Sequence, residues 1–218
     1  MKRAIICFTR VPRPGQTKTR LLPVLTPEQC AQLHWAFLKD LAEIYRQLDA
    51  HLFVAYVPDP DWEQLKSIFP PAGYLTQKGA DLGEKMYRAI RKVLDLGYSS
   101  VILTGSDLPR MTKEHLESGF VALEENDMVI GPTSDGGYYL IGMKKPNREI
   151  FRVEGYGGST VFESTLAAAK NAGLTVGLAR SCDDVDTPED LWNLTKAIDP
   201  QSHTGQYLNN LYQEGLGL

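Results

Sequence analysis

At 218 residues the chain fits one domain and is long enough to bury a core without disulfides or a structural metal. Hydrophobic residues make up 43% and charged residues 23%, an ordinary globular composition, and the net charge of −4 argues against a nucleic-acid binder, which would carry a basic surplus. Charge is unevenly placed: residues 1–20 hold Lys2, Arg3, Arg10, Arg13, Lys18 and Arg20 and no acid, while residues 181–190 hold Asp183, Asp184, Asp186, Glu189 and Asp190 and no Lys or Arg.

Residues 4–8 form a short apolar run of the kind a buried parallel strand shows. A basic loop rich in Pro and Gly follows over 9–23. Thr26, Pro27 and Gln29 then read as a helix start, with Thr26 as cap and Gln29 completing a capping box. Leu33, Phe37, Leu41, Ile44 and Leu48 continue that helix at helical spacing. Residues 52–57 predict a second strand, and Trp62, Leu65, Ile68 and Phe69 a short helix. Residues 81–96 predict a helix closed by Gly97. Strands are expected at 101–103, 128–130, 138–143 and 174–178, with helices at 112–124, 159–171 and from 187 to about 198. This alternation predicts a three-layer α/β/α Rossmann-like fold with a mostly parallel sheet, whose ligands bind at the carboxyl ends of the strands. Residues 1–199 are read as the single domain and 200–218 as a C-terminal tail, loosely held because of Gly205, Gly215 and Gly217, with a short helix near 207–212.

The cysteines, Cys7, Cys30 and Cys182, are widely spaced and form neither CxxC nor a zinc pattern. That usage fits a reducing compartment. The apolar run at the N-terminus is too short for a signal-peptide core and no long apolar span follows, so a cytoplasmic protein without a membrane span is expected. Trp35, Trp62 and Trp192 are candidates for core packing or for a homodimer contact.

Several segments carry candidate chemistry. The loop 10–21 offers Gly15 for close backbone approach and Lys18 and Arg20 for phosphate oxygens. It is not a Walker A loop, because Thr17 stands where that motif has Gly. Asp81 opens a helix whose N-terminus favours anions. After an apolar strand, Gly105-Ser106-Asp107-Leu108-Pro109 delivers Asp107 to a strand end, where a hard divalent ion needs oxygen ligands. Asp135, in Gly131-Pro132-Thr133-Ser134-Asp135-Gly136-Gly137, is either a turn-former or a substrate contact. Gly157-Gly158-Ser159-Thr160 precedes a helix and serves either packing or a ligand. The acids of 183–190 repel one another unless a cation neutralises them, and Asp186 and Glu189 are spaced to point one way.

Taken together, PGxxKTRL, DLGEKM, TGSDLP, GPTSDGGYYLIGM, GGST and DVDTPEDL resemble the nucleotide-diphospho-sugar transferase superfamily of GT-A fold. Within it, the chain resembles small bacterial proteins classed as glycosyltransferases, some associated with arsenosugar biosynthesis, related to phospholactate and molybdenum-cofactor guanylyltransferases. The resemblance implies phosphate contacts from Gly15, Lys18 and Arg20; Asp81 and Asp135 are further candidate contacts to the nucleotide. It implies a Mg²⁺ or Mn²⁺ ion on Asp107 and Asp186 with help from Glu189, and the stretch 135–143 near the sugar or acceptor. Asp107, Asp186 and Lys18 are the expected catalytic residues. The expected reaction is metal-dependent glycosyl transfer from a nucleotide-diphospho-sugar to a small-molecule acceptor. The alternative is nucleotidyl transfer from an NTP to a phosphorylated small molecule, and a non-catalytic nucleotide sensor is a third reading.

Overall fold

The computed structural model describes residues 2–69 and 71–213. In chain order the elements are β1 (Arg3–Thr9), α1 (Pro27–Arg46), β2 (His51–Tyr56), β3 (Gly73–Thr76), α2 (Leu82–Asp95), β4 (Ser100–Thr104), α3 (Lys113–Glu125), β5 (Met128–Pro132), β6 (Tyr138–Met143), α4 (Val161–Asn171), β7 (Val176–Leu178), α5 (Pro188–Thr195) and α6 (His203–Gln213). The strands form one sheet in the order β3-β2-β1-β4-β6-β5-β7. Strand β6 alone runs antiparallel, against both β4 and β5. The short turn between β5 and β6 dictates this, since a parallel neighbour needs a crossover of a dozen residues or more. The fold is the three-layer α/β arrangement expected, with a mostly parallel, mixed sheet.

Period-two alternation sorts the strand side chains between two faces. Ile5 and Cys7 of β1 join Leu38, Leu41 and Tyr45 of α1 and Phe120 of α3 in one buried cluster. Ala4 and Ile6 of the same strand join Met86, Ile90 and Val93 of α2 on the other face. Helix α1 starts where the sequence places it: Thr26 Oγ1 accepts from Gln29 N at 3.2 Å and Gln29 Oε1 from Thr26 N at 2.8 Å. Helix α2 ends at Gly97, whose φ of 88° is in the left-handed region.

Strand β3 was not expected from the sequence. It is a short edge strand, half-buried along most of its length, and pairs only with β2. Helix α4 begins at Val161, and Thr160 makes no side-chain cap bond.

The segment read as a loosely held tail instead folds, up to Gln213, as α6; Gly215 and Gly217 lie outside the described residues. Asp40 of α1, itself buried, accepts from His203 N at 2.7 Å and Thr204 N at 3.0 Å and so caps the incoming helix. Leu208 and Leu211 then enter a third cluster with Leu21, Leu33, Phe37, Val185, Leu191 and Leu194. Gly205 is required by packing, because a Cβ there would stand 2.1 Å from Asp199 O. Truncating Leu208, 2% exposed, to Ala is expected to cost about 2–5 kcal/mol of unfolding free energy, read by denaturant titration. An unchanged midpoint would show that α6 is not docked as described.

Candidate active site

The strand order reverses direction at β1, which is flanked by β2 and β4. In an open α/β sheet the crevice at the carboxyl ends of such strands is the natural ligand site. A cleft of about 370 Å³ opens there, lined among others by Phe8, Arg10, Gln77, Asp107, Asp135 and Asp184. An adjoining hollow of about 250 Å³ is lined by Arg10, Lys18, Arg20, His34, Asp107 and Asp186. Asp107, Arg10 and His34 are common to both.

Lys18 is the centre of this arrangement. Its Nζ lies 2.9 Å from Asp107 Oδ1 and 3.0 Å from Asp186 Oδ1, and donates to Val185 O at 2.6 Å. The side chain is 2% exposed, so the ammonium is fixed rather than waving in solvent. Its backbone is in the left-handed region at φ 53°, the single non-glycine residue there among the described residues. For an L-residue that conformation costs about 1–2 kcal/mol, and strain of this kind is retained where surrounding contacts over-determine it. Leu21 and Val185, buried in the third cluster, anchor the chain on both sides of the ion pair.

Asp107 is set at the end of β4. Oδ1 is turned inward, away from solvent, and lacks an aligned hydrogen bond even though Lys18 is in ion-pair contact. Burial pushes this carboxyl up, but the Lys18 ammonium foremost outweighs it, and the group is held below its ordinary value. His34 of α1, a residue the sequence reading did not single out, lies against it. Its Nε2 is 3.1 Å from Ser106 Oγ and 3.4 Å from Asp107 Oδ1. Burial pulls the ring down to about 4, so it is neutral at neutral pH. Nε2 meets the Ser106 hydroxyl, which can donate or accept, and Nδ1 is buried without a hydrogen-bond partner.

The acidic segment 183–190 divides by role. Asp186 meets Lys18 and, at 3.5 Å, Arg20. Asp184 faces the cleft, and its carboxyl is raised to about 6 by burial first and then by Asp186, with Asp135 and Asp107 adding to the effect. Asp183 accepts from Ser134 N at 2.7 Å and ties the segment to the turn 133–137. Asp190 Oδ2 accepts from Asp186 N at 3.1 Å and Thr187 N at 2.7 Å, closing the α5 cap. Glu189, expected beside Asp186, is exposed on the first turn of α5 and lines neither hollow. The capping box takes Asp190 at its third position, so Glu189 faces outward.

Other expectations divide similarly. Arg20 lines the smaller hollow with 71% of its side chain exposed. Gly15, at φ 71°, is exposed at the loop tip and lines neither hollow. Arg13 is held by Asp59 at 2.6 Å and also pairs with Asp61, so it does not face the cleft. Asp81 caps α2, accepting from Glu84 N at 2.7 Å, and lies outside the main cleft. Asp135 is a turn-former, Oδ1 accepting from Gly137 N at 3.0 Å, and it also lines the cleft. Gly136, at φ 87°, lets that turn touch the 155–160 loop, since a Cβ would stand 1.9 Å from Ser159 O.

The donor set suits a hard cation. Asp107, Asp184 and Asp186 share one neighbourhood, where burial first and then the charge of Asp186 push the Asp184 carboxyl up. Among the described residues, no three His, Cys, Asp or Glu side chains stand close enough to cage an ion alone. Two carboxylates, Asp107 and Asp186, are the number that Mg²⁺ takes while keeping waters and substrate phosphate oxygens in its shell, and Lys18 is the cation that now lies between them.

The model of a family described as "Uncharacterized protein conserved in bacteria (DUF2064)" matches residues 40–157. The chain belongs to this family. A solved structure from Desulfovibrio desulfuricans G20, described as a nucleotide-diphospho-sugar transferase, superposes with a TM-score of 0.89 at 34% identity, covering 98% of this chain and 96% of that one. A 2-phospho-L-lactate guanylyltransferase of Methanocaldococcus vulcanius is 27% identical over 198 residues, 89% of this chain and 85% of the relative. A phosphoenolpyruvate guanylyltransferase of Sphaerobacter thermophilus is 27% identical over 199 residues, 87% of this chain and 91% of the relative. This DUF2064 protein is an enzyme of the transferase class. Among its described residues no helix is long and apolar enough to cross a membrane.

Lys18→Ala removes the shared counter-ion of Asp107 and Asp186. A fully buried pair would lose about 3–5 kcal/mol; here both carboxylates are more than a third open to water, so about 1–3 kcal/mol is expected. Lys18→Gly loses the same ammonium but tolerates the left-handed backbone, and should unfold later than Lys18→Ala by up to about 1 kcal/mol. Equal stabilities in chemical unfolding would count against strain at this position.

Proposed function

We propose that this protein is a metal-dependent nucleotidyltransferase that moves an NMP group from an NTP to a phosphorylated small molecule. The observation that carries the reading is the Lys18–Asp107–Asp186 cluster, which lines a hollow of about 250 Å³ and, through Asp107, adjoins a cleft of about 370 Å³. The guanylyltransferase relatives, aligned over most of the chain, favour this chemistry over the glycosyl transfer that the sequence motifs suggested first. They also favour GTP as donor and a small phosphorylated carboxylic acid as acceptor.

In this reaction a phosphate oxygen of the acceptor attacks the α-phosphorus. A new P–O bond forms, the bond from the α-phosphorus to the bridging oxygen breaks, and pyrophosphate leaves with the electron pair. Asp107 and Asp186 would hold Mg²⁺ or Mn²⁺, which when bound supplies Lewis-acid neutralisation of the phosphates. Arg10 and Arg20 offer cations to the developing charge on the leaving group. Lys18 keeps the two carboxylates together. His34, neutral and acting through Asp107, is a positioning residue that fixes the carboxylate's rotamer.

With purified protein, Mg²⁺, GTP and a phosphorylated hydroxy acid or enol acid, pyrophosphate release is expected. Asp107→Asn and Asp186→Asn should each lower kcat/KM by about 10²–10³ or more while the fold persists. The Desulfovibrio desulfuricans relative favours a second reading, glycosyl transfer. Nucleoside diphosphate release from a nucleotide-sugar, without pyrophosphate from any NTP, would establish that reading in place of the first.

A further inference from the structure

Gln77 follows β3 and lines the cleft that Asp107 and Asp184 also line. Its backbone N–H donates to Tyr56 O at 2.8 Å. Its side-chain Nε2 donates to Thr9 O and to Ala55 O, each at 2.9 Å. Both partners are carbonyls, and a carbonyl cannot donate. The amide nitrogen must therefore face them, and both of its hydrogens are used. The usual ambiguity between amide oxygen and nitrogen is removed by this chemistry. Oε1 is left pointing away from the sheet, is the target of no protein donor among the described residues, and is not shut off from solvent. Gln77 lines the cleft, so this oxygen is a fixed, acceptor-only group presented to a ligand.

Its surroundings suit a flat heterocycle. Phe8, Val57, Leu82 and Met86 supply apolar surface in the same part of the molecule, at the ends of β1 and β2 and the start of α2. The carboxamide bridges the ends of β1 and β2, and Asp107 follows β4, the strand on the other side of β1. One to two strand spacings, roughly 5–10 Å, separate the ends. That span is on the scale of a nucleoside reaching from base edge to α-phosphate.

We propose that Gln77 is the base-reading residue, its Oε1 accepting an N–H from the Watson–Crick edge of guanine. The inference rests on the nucleotidyl-transfer reading and adds the residue that sets its donor specificity. Guanine presents donors at N1 and at the 2-amino group. Adenine has its only donor on that edge at the 6-amino group, where guanine carries O6, and an acceptor at N1; in the guanine pose two acceptors would face each other and leave a polar group unpaired. The sheet-end carbonyls hold the amide in one orientation, so it cannot turn its nitrogen outward to suit adenine.

The test measures KM and kcat for GTP and ATP in wild type and in Gln77→Met, which keeps the length of the side chain and removes the acceptor. Wild type should prefer GTP, chiefly in KM, and the variant should lose about tenfold to a hundredfold of that preference while keeping kcat within a few-fold. An unaltered GTP-to-ATP ratio in a folded variant overturns the proposal. Losing the bonds to Thr9 O and Ala55 O can compromise folding, so a second measurement uses wild type alone. Inosine triphosphate lacks the 2-amino group and 1-methylguanosine triphosphate lacks N1–H; at least one should bind tenfold or more weakly than GTP. Equal binding of both also overturns the proposal. Failure of the parent reading looks different: wild type would release pyrophosphate from no NTP at all.

Discussion

One ammonium group holds three distant stretches of this chain together. The loop after β1, the turn after β4 and the segment before α5 meet because Lys18 Nζ stands about equally close to Asp107 and Asp186. Without it, two carboxylates would share a confined space. At an effective dielectric near 20, a like-charged pair about 4 Å apart costs about 4 kcal/mol, comparable with a large part of a domain's net stability. The pair is tolerable because the cation is desolvated with them and also bonded to Val185 O. The left-handed backbone at Lys18 is the local cost of aiming that side chain inward.

The position of the ion pair depends in turn on apolar packing remote from the cleft. Helix α1 is buried on both flanks. One side covers the sheet through Leu38, Leu41 and Tyr45, and the other receives α5 and α6 through Leu33 and Phe37. Leu21 and Val185 belong to the second of these groups, so the third cluster fixes the loop carrying Lys18 and the segment carrying Asp186 at once. Phe37 also lies under the ammonium, with Nζ 5.6 Å from its ring centre. The C-terminal helix is therefore part of the support of the site: loosening it would free the chain on either side of Asp186 before it disturbed the sheet.

Much of this was legible in the sequence because the signals were local. Strand runs, the Thr26 capping box and Gly97 each report a short-range preference, and their alternation specifies the layers. Lys18, Asp107 and Asp186 stood out because each follows or precedes an element at the end of the sheet where ligands bind. Long-range features were harder to read. Strand β3 is too short to show a period and is held by pairing with β2. His34 occupies an ordinary position on α1, and only the tertiary fold brings it against Ser106 and Asp107. Glu189 and Asp190 are neighbours, and either could have been the third residue of a cap box; the helix start at Pro188 settles which turns outward. Gln77 carried no motif, because its role comes from two carbonyls of strands that the sequence separates by dozens of residues.

The cleft is polar along its length in a way that matches an amphiphilic ligand. Its apolar wall is made by Val57 after β2 and by Leu82 and Met86 of α2, beside one oriented acceptor; its charged wall is made by Arg10 after β1, Asp107 after β4 and Asp184 before α5. A wholly charged pocket would hold pyrophosphate but have no means of choosing a base. A wholly apolar one would leave phosphates desolvated without partners, at a cost of several kcal/mol per charge. Both requirements are met by the sheet itself: β1 lies between the two ends, its Phe8 contributing to the apolar wall and Arg10, just past its last residue, to the charged one. The same strand thus sets the distance between base and phosphate ends, and a change in the register of β1 against β2 or β4 would alter that distance before altering either group of contacts.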